Sequence, residues 1–243
     1  ALILAPAGNE AEREQLGTAL ARLNAHLRSD PWRSEKARLL ERLNDSGFWD
    51  DPQRYATLDR IERSDRIDAG AQTACGFFDR LSARARRSAG VPRSMVSSLA
   101  EQLYLLEAAL ADFDSNDAAD VYLTVEPIAE EGADDGWSLT IARMYRAWAR
   151  KRRMRVTLVA AVEAPPYLTA IAGFGAHRIL AGEAGLHLLE IPAANGGFDR
   201  RTARVHVVPQ PVTPKPAQQA ERDYAFVCAG ASSPPNTVVR RYR

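Results

Sequence analysis

Apolar residues recur every three or four positions along roughly the first 113 residues, and this spacing predicts α-helices. Asn9 is the expected N-cap of the first helix, because acidic residues follow it and an apolar stripe begins at Leu16. The pattern breaks at Gly90–Pro92, and a narrow stripe of leucines follows. We therefore predict an all-helical domain over residues 1–113, with this stripe packed inside it rather than against another protein. The stripe comprises Leu99, Leu103, Leu106 and Leu110.

The pattern changes after residue 114, where apolar and polar residues alternate as they do in β-strands. One amphipathic helix is predicted over residues 137–150. Its apolar face is expected to comprise Ile141, Met144, Tyr145 and Trp148. Strands are predicted at residues 121–125, 156–160, 168–172, 186–191 and 205–209. One helix among several strands predicts an α+β sandwich over residues 114–210, with a mixed or antiparallel sheet.

Prolines are frequent just after this region, so residues 211–223 are predicted to form a linker. Two short strands are predicted beyond the linker, at residues 224–228 and 238–243.

Composition narrows the class of protein. A hydrophobic fraction of 46% and a charged fraction of 26% are ordinary for a soluble globular chain. No apolar run approaches the length of about 18 residues that a membrane helix needs. Cys75 and Cys228 lie far apart, and His177, His187 and His206 match no metal-site spacing. We therefore expect a cytoplasmic protein with no metal, no cofactor and no membrane partner.

The types of charged residue indicate more about possible partners than the net charge does. The net charge is +1, so the whole chain does not attract nucleic acid strongly. All but three of the 32 basic residues are arginines, which suit phosphate because the guanidinium bonds bidentately. The base composition of the genome is an alternative explanation for this preference.

Several short motifs occur in one order along the chain. They are Phe-Trp-Asp-Asp-Pro at Phe48–Pro52, Arg-Met-Tyr-Arg-Ala-Trp-Ala at Arg143–Ala149, and Glu-Ala-Gly-Leu-His at Glu183–His187. An acidic loop that ends in Trp137 precedes the second motif. Over roughly residues 40–210 the chain resembles the bacterial class I peptide chain release factors. The resemblance implies an N-terminal helical domain, a codon-recognition-like α+β domain and binding to the ribosome, with its rRNA and mRNA.

The resemblance also places a reading loop. Pro192 to Thr202 has the spacing of the Pro-x-Thr loop with which the family reads stop codons, but Ala194 stands at the discriminating threonine position and Arg201 at the histidine position. An alanine methyl cannot hydrogen-bond a base edge, so the family's stop-codon discrimination is not expected here. The candidate RNA contacts are Pro192, Ala193, Ala194, Arg200, Arg201, Thr202 and Arg204.

A basic run at the end of the predicted helix is a second candidate for contact with ribosomal RNA phosphates. Its residues are Arg150, Lys151, Arg152, Arg153 and Arg155. The alternative is a solvated helix end, where cations are favoured by the helix dipole.

The catalytic tripeptide of the family, Gly-Gly-Gln, does not occur in the 243 residues. Where the family carries it, the chain has Ala229–Thr237, whose two prolines lack the backbone N–H. We interpret residues 224–243 as a remnant of the catalytic domain, and Val238–Arg243 resembles either the strand after that loop or a later segment of the family.

Three hypotheses for function follow. The first is a release-factor-like protein that binds the ribosomal A site without peptidyl-tRNA hydrolysis, in ribosome rescue, quality control or modulation of termination. In the second, the protein is an active release or rescue factor whose catalytic loop, near Ser233, is missing from the sequence. In the third, it is a protein-interaction module that no longer acts on the ribosome.

Overall fold

Two units make up the chain, Ala1–Asp117 and Ala118–Arg243. The computed structural model describes residues 2–87, 90–128, 136–159, 165–193, 196–212 and 238–242. The predicted strand at 224–228 and nearly all of the predicted linker lie outside these residues. No helix in the described ranges has both the length and the apolar character needed to cross a membrane.

The first unit is helical. Its helices are α1 (Glu10–Leu27), α2 (Asp30–Arg42), α3 (Arg54–Arg87) and α4 (Arg93–Ser115), with a short 3-10 turn at Phe48–Asp50. The predicted N-cap is confirmed, because the Asn9 side chain accepts from the backbone N–H of Glu12 and the Glu12 carboxylate accepts from that of Asn9.

Leucines of α1 and α4 form much of the core of this unit. Those of α1 are Leu16, Leu20 and Leu23, and the predicted α4 stripe is buried throughout. The buried face of α4 is wider than that stripe, since it also includes Val96, Ala100 and Phe113. The α4 stripe therefore lies within the protein, as the spacing predicts.

The second unit is a sheet with helices packed on it, as expected of an α+β domain. The strands are β1 (Val121–Pro127), β2 (Arg155–Leu158), β3 (Tyr167–Ala172), β4 (Gly185–Pro192), β5 (Phe198–Pro209) and β6 (Val238–Tyr242). The helices are α5 (Trp137–Lys151) and α6 (Ala176–Leu180), and a 3-10 turn follows at Ala181–Glu183. The strand order is β2-β3-β1-β5-β4-β6, and all pairs are antiparallel except β4 with β6.

One predicted strand differs clearly in extent from the strand observed. β5 begins at Phe198 rather than at residue 205, and therefore runs through half of the predicted reading loop. Residues 198–202 are polar or exposed at most positions, so they lack the apolar alternation that identifies a strand. Their pairing with β4 is what makes them a strand.

The buried face of α5 also differs from the predicted one. Ile141 and Tyr145 are buried as expected, but Met144 is 38% exposed and Trp148 is half-buried. The face that meets the sheet is centred on small residues instead, because these allow the helix axis to approach the strands closely. They are Ser138, Ala142 and Ala149.

The strand β6 belongs to the same sheet as β1 to β5. It pairs in parallel with β4, and Arg240 lies beside His187 while Tyr242 lies beside Leu189. The sequence assigns this strand to a remnant of the catalytic domain. In the structure it extends the sheet of the second unit at the β4 edge.

Candidate nucleic-acid interface

The predicted reading loop is a β-hairpin. Pro192 of β4 pairs with Phe198 of β5, so the connection spans five residues, 193–197. The backbone N–H of Ala193 donates to the carbonyl of Gly197 over 2.9 Å, and that of Gly196 donates to the carbonyl of Ala193 over 3.1 Å. Gly196 has φ of +81°, a conformation that favours glycine. Pro192 is exposed and Ala193 half-buried, whereas Ala194 lies outside the described residues.

The strand geometry divides the candidate residues between two faces. Side chains alternate along a strand, so Arg200, Thr202 and Arg204 share one face of the sheet, and Arg201 lies on the other. The second face is the one that α5 covers, because it also carries His187 and Thr169, which contact α5. The structure therefore brings together three of the predicted contacts and separates Arg201 from them.

Carboxylates lie beside both arginines of the first face. The Nε of Arg200 lies 3.4 Å from an oxygen of Glu190, the residue paired with it on β4. The Nη1 of Arg204 lies 3.8 Å from an oxygen of Glu126, its partner on β1. Both arginine side chains remain largely in solvent, at 65% and 49% exposure. The Arg204–Glu126 pair is exposed on both sides and contributes only about 0–1 kcal/mol, so the Arg204 guanidinium can turn to a ligand at small cost. Glu190 is buried, at 5% exposure, so Arg200 turns away from it only at a higher cost.

Sequence reasoning missed Phe198. This side chain is 49% exposed at the hairpin tip and lies on the same face as Arg200 and Arg204. Aromatic rings stack on unpaired bases and arginines bind the phosphates between them, which makes this combination typical of single-stranded RNA binding. The signal was available in the sequence, since Phe198 is the only aromatic residue between Pro192 and Thr202.

The basic run lies around a tight helix end. Arg153 adopts a left-handed conformation with φ of +58°. Its N–H donates to the carbonyl of Arg150 over 2.9 Å, and the N–H of Met154 donates to that of Ala149 over 3.0 Å. These two bonds define a Schellman motif, and buried Met154 packs against Gly173 behind it.

This turn spreads the cations of the run apart. Arg150, Lys151, Arg153 and Arg155 are exposed. The guanidinium of Arg152 instead lies 4.4 Å from the centre of the Trp148 ring. Arg155 starts β2 opposite Ala172, on the face of the sheet that α5 does not cover. The run is therefore less of a single patch than its sequence suggests.

A buried polar network surrounds His187. Its Nε2 lies 3.1 Å from the carbonyl of Glu183 and its Nδ1 lies 2.9 Å from the hydroxyl of Tyr242. A carbonyl can only accept, so Nε2 carries the proton and Nδ1 accepts from the hydroxyl. Burial lowers the pKa of His187, which keeps this neutral form. These contacts are those of a structural residue.

The same network ties β6 to the rest of the unit. The hydroxyl of Tyr145 donates to the Glu183 carboxylate over 2.9 Å, and the guanidinium of Arg240 donates to its other oxygen over 2.5 Å. Burial raises the pKa of Tyr145, with the Glu183 charge adding to the effect, so this hydroxyl remains a donor. Within the described residues, no cluster of histidine, cysteine, aspartate or glutamate could hold a metal ion.

Comparison with known protein families shows which family the chain belongs to. The family model described as the PCRF domain matches residues 32–207, well over half of the chain. The chain belongs to the PCRF family. The resemblance to class I release factors drawn from the sequence motifs is thereby confirmed. The PCRF match includes α5, its basic end and the β4–β5 hairpin, and it ends before β6.

Comparisons with individual proteins give weaker evidence of relationship than the PCRF match does. No curated protein sequence matches the chain. Among solved structures, RF2 of Thermus thermophilus is similar, with 20% sequence identity and a TM-score of 0.38. The match covers 78% of this chain and 59% of that one, so the chain spans about three fifths of the length of RF2.

Proposed function

We propose that this PCRF-family protein is a release-factor-like translation factor that binds the ribosome at the A site through its β4–β5 hairpin. The observation that carries the proposal is the exposed face of β5, along which Phe198, Arg200 and Arg204 lie in a row. Membership of the PCRF family, with its likeness to release factors, supports the ribosome as the partner. The hairpin supplies a surface suited to RNA.

The chemistry of this face favours unpaired RNA over a protein partner. An aromatic ring can stack on a base of any identity, and each guanidinium can bond two phosphate oxygens. Thr202 lies between the two arginines on the same face and offers a hydroxyl to a base edge or a ribose. Such a surface binds RNA through stacking and charge, so we expect weak dependence on codon identity.

We further propose that binding is not coupled to peptidyl-tRNA hydrolysis. The Gly-Gly-Gln tripeptide of the family does not occur in the 243 residues, and Ala229–Thr237 stands in its place. A factor that occupies the A site without hydrolysis would act in ribosome rescue, quality control or modulation of termination. A peptidyl-tRNA release assay tests this directly, because measurable hydrolysis would support an active release or rescue factor instead.

Cosedimentation with 70S ribosomes at physiological salt tests the binding. We expect the protein to pellet with ribosomes, and the Arg200→Gln/Arg204→Gln variant to remain largely in the supernatant. The matched control is Arg28→Gln/Arg33→Gln, which removes the same charge from exposed positions of the first unit. Equal binding by both variants would exclude the hairpin as the contact. Failure of the unmodified protein to pellet would overturn the proposal.

The salt dependence of binding to single-stranded RNA gives a second, quantitative test. Each phosphate contact contributes about 0.7 to the slope of log K against log salt concentration. The hairpin variant should therefore lose about 1.4 from this slope. A pull-down from lysate that yields one dominant protein, with no ribosomal components, would favour the interaction-module hypothesis.

A further inference from the structure

A buried arginine on α5 has arginines rather than carboxylates as its charged neighbours. Arg146 is only 8% exposed, and its Nε donates to the hydroxyl of buried Thr169 over 3.0 Å. Among the described residues this is its one hydrogen bond, and no carboxylate pairs with it. Arg143 and Arg150 lie three positions before it and four positions after it. Burial and then the charges of Arg150 and Arg143 lower the pKa of Arg146.

Within the part of the chain that the structure describes, little offsets this accumulated charge. Side chains three and four positions apart on a helix are neighbours, and like charges at that spacing destabilise the helix. The helix dipole favours cations in the last turn, where Arg150 lies, but its effect fades beyond that turn. Arg146 and Arg143 lie further from the helix end. A buried guanidinium is ordinarily matched by a carboxylate, and here an external anion would supply the missing charge.

We propose that Arg143, Arg146 and Arg150 form a binding site for a phosphate group. Thr169 holds the Arg146 guanidinium in place through Nε, which leaves its other N–H groups for a ligand. Arg143 and Arg150 are exposed, so their side chains can turn toward an anion bound at Arg146. Guanidinium groups match the geometry of phosphate oxygens, and several of them together neutralise its charge. The site lies on α5 and does not depend on RNA binding by the hairpin.

Thermal unfolding with pyrophosphate as the probe tests the site. Saturating pyrophosphate should raise the Tm of the unmodified protein by about 5 °C over sodium chloride of equal ionic strength. Arg146→Met should lose this gain, because the remaining arginines lack the fixed central guanidinium. Arg33→Met, an exposed arginine of α2, is the matched control and should keep it.

A second variant keeps the test decisive even if Arg146→Met does not fold. Arg143→Gln/Arg150→Gln changes only exposed side chains, and it should lose most of the gain while its Tm in chloride equals or exceeds that of the unmodified protein. The proposal is overturned if pyrophosphate leaves the Tm of the unmodified protein unchanged, or if these variants keep the full gain.

The source of the phosphate can be separated with a labelled single-stranded RNA. If Arg146→Met weakens RNA binding in parallel with pyrophosphate binding, the site takes a phosphate of the RNA backbone. If only pyrophosphate binding is lost, the site takes a free phosphate ester. Both outcomes support the site. Loss of ribosome binding in the hairpin variant with an intact pyrophosphate response would show that the two surfaces are independent.

Discussion

Two clusters on opposite faces of the same sheet contain a histidine, a glutamate and an arginine each, yet they differ in burial and therefore in what they can do. On the α5 face, His187 is fully buried and Glu183 and Arg240 complete its network. On the other face, His206 is 38% exposed and shares Glu126 with Arg204. In the first cluster the histidine makes its contacts inside the protein, and only the Arg240 side chain reaches solvent, at 41% exposure. In the second, the arginine is held loosely and can bind a ligand.

The physical reason is the cost of breaking each contact. A buried donor or acceptor that loses its partner costs about 1–3 kcal/mol, because no water replaces the partner. An exposed ion pair contributes about 0–1 kcal/mol, because water replaces it at once. The His187 cluster therefore stabilises the fold. The Arg204 cluster contributes little to the fold, and it lies on the same face as Phe198.

The largest expected effect is on stability at the buried histidine. His187→Ala removes two hydrogen bonds and leaves a cavity beside Tyr145 and Tyr242, so we expect a loss of about 3–4 kcal/mol. Urea unfolding followed by circular dichroism measures it. The matched variant on the other face, His206→Ala, should lose less than about 1 kcal/mol. Equal losses would show that burial does not distinguish the two clusters.

The hairpin should give the opposite result, with a small effect on folding and a larger one on binding. Phe198→Leu removes a half-exposed ring, and we expect single-stranded RNA to bind about tenfold more weakly as base stacking is lost. Fluorescence anisotropy with a labelled oligonucleotide measures the affinity. Trp49→Leu is the control, since Trp49 is another exposed aromatic residue, 66% exposed, in the first unit. If it weakens binding as much as Phe198→Leu does, stacking at the hairpin tip is not the cause.

Acid should reveal the buried histidine through the pH dependence of stability. The pKa of His187 is lowered in the folded protein, so the unfolded chain takes up the proton first. Stability is therefore complete above the unfolded pKa of about 6.5 and falls as the pH drops below it, by up to about 1.4 kcal/mol per pH unit. Glu183, Arg240, Tyr145 and Tyr242 face the ring. Urea midpoints between neutral pH and pH 5 measure the slope. If the His187→Gln variant kept the full slope, the pH dependence would come from another titratable group.

The sequence predicted the elements that local patterns determine. The Asn9 capping box, the leucine faces of α1 and α4, and the α5 helix follow from spacing and cap chemistry. The sequence pattern did not predict that small residues, rather than Met144, lie on the buried face of α5. A helix that packs closely on a sheet needs small side chains there, even where they are less hydrophobic. The parallel pairing of β6 with β4 joins residues about 50 positions apart, and no local pattern encodes it.

The candidate site shows the same limit at the level of single residues. The spacing placed Arg200, Arg201 and Arg204 in one loop, where all three could reach RNA together. Once residues 198–202 pair with β4, the two-residue period of a strand sends Arg201 to the α5 face. The buried cluster around His187 could not be predicted from the sequence for a different reason. It unites side chains from α5, a 3-10 turn, β4 and β6, and only tertiary structure brings them together.

The smallest effect should come from the exposed arginine. Arg204→Gln leaves Glu126 paired with His206 at 2.9 Å, so its stability should change by less than about 0.5 kcal/mol. Arg240→Gln is the corresponding change in the buried cluster. It removes the contact with Glu183; the Arg240 side chain is itself 41% exposed, but Glu183 is only 25% exposed, so we expect a somewhat larger loss, of up to about 1 kcal/mol. Urea unfolding of the two variants side by side measures the difference, and RNA affinity should fall only for Arg204→Gln. If Arg204→Gln destabilised the protein as much as Arg240→Gln, Arg204 would be a structural residue and the face around Phe198 would lose one of its two cations.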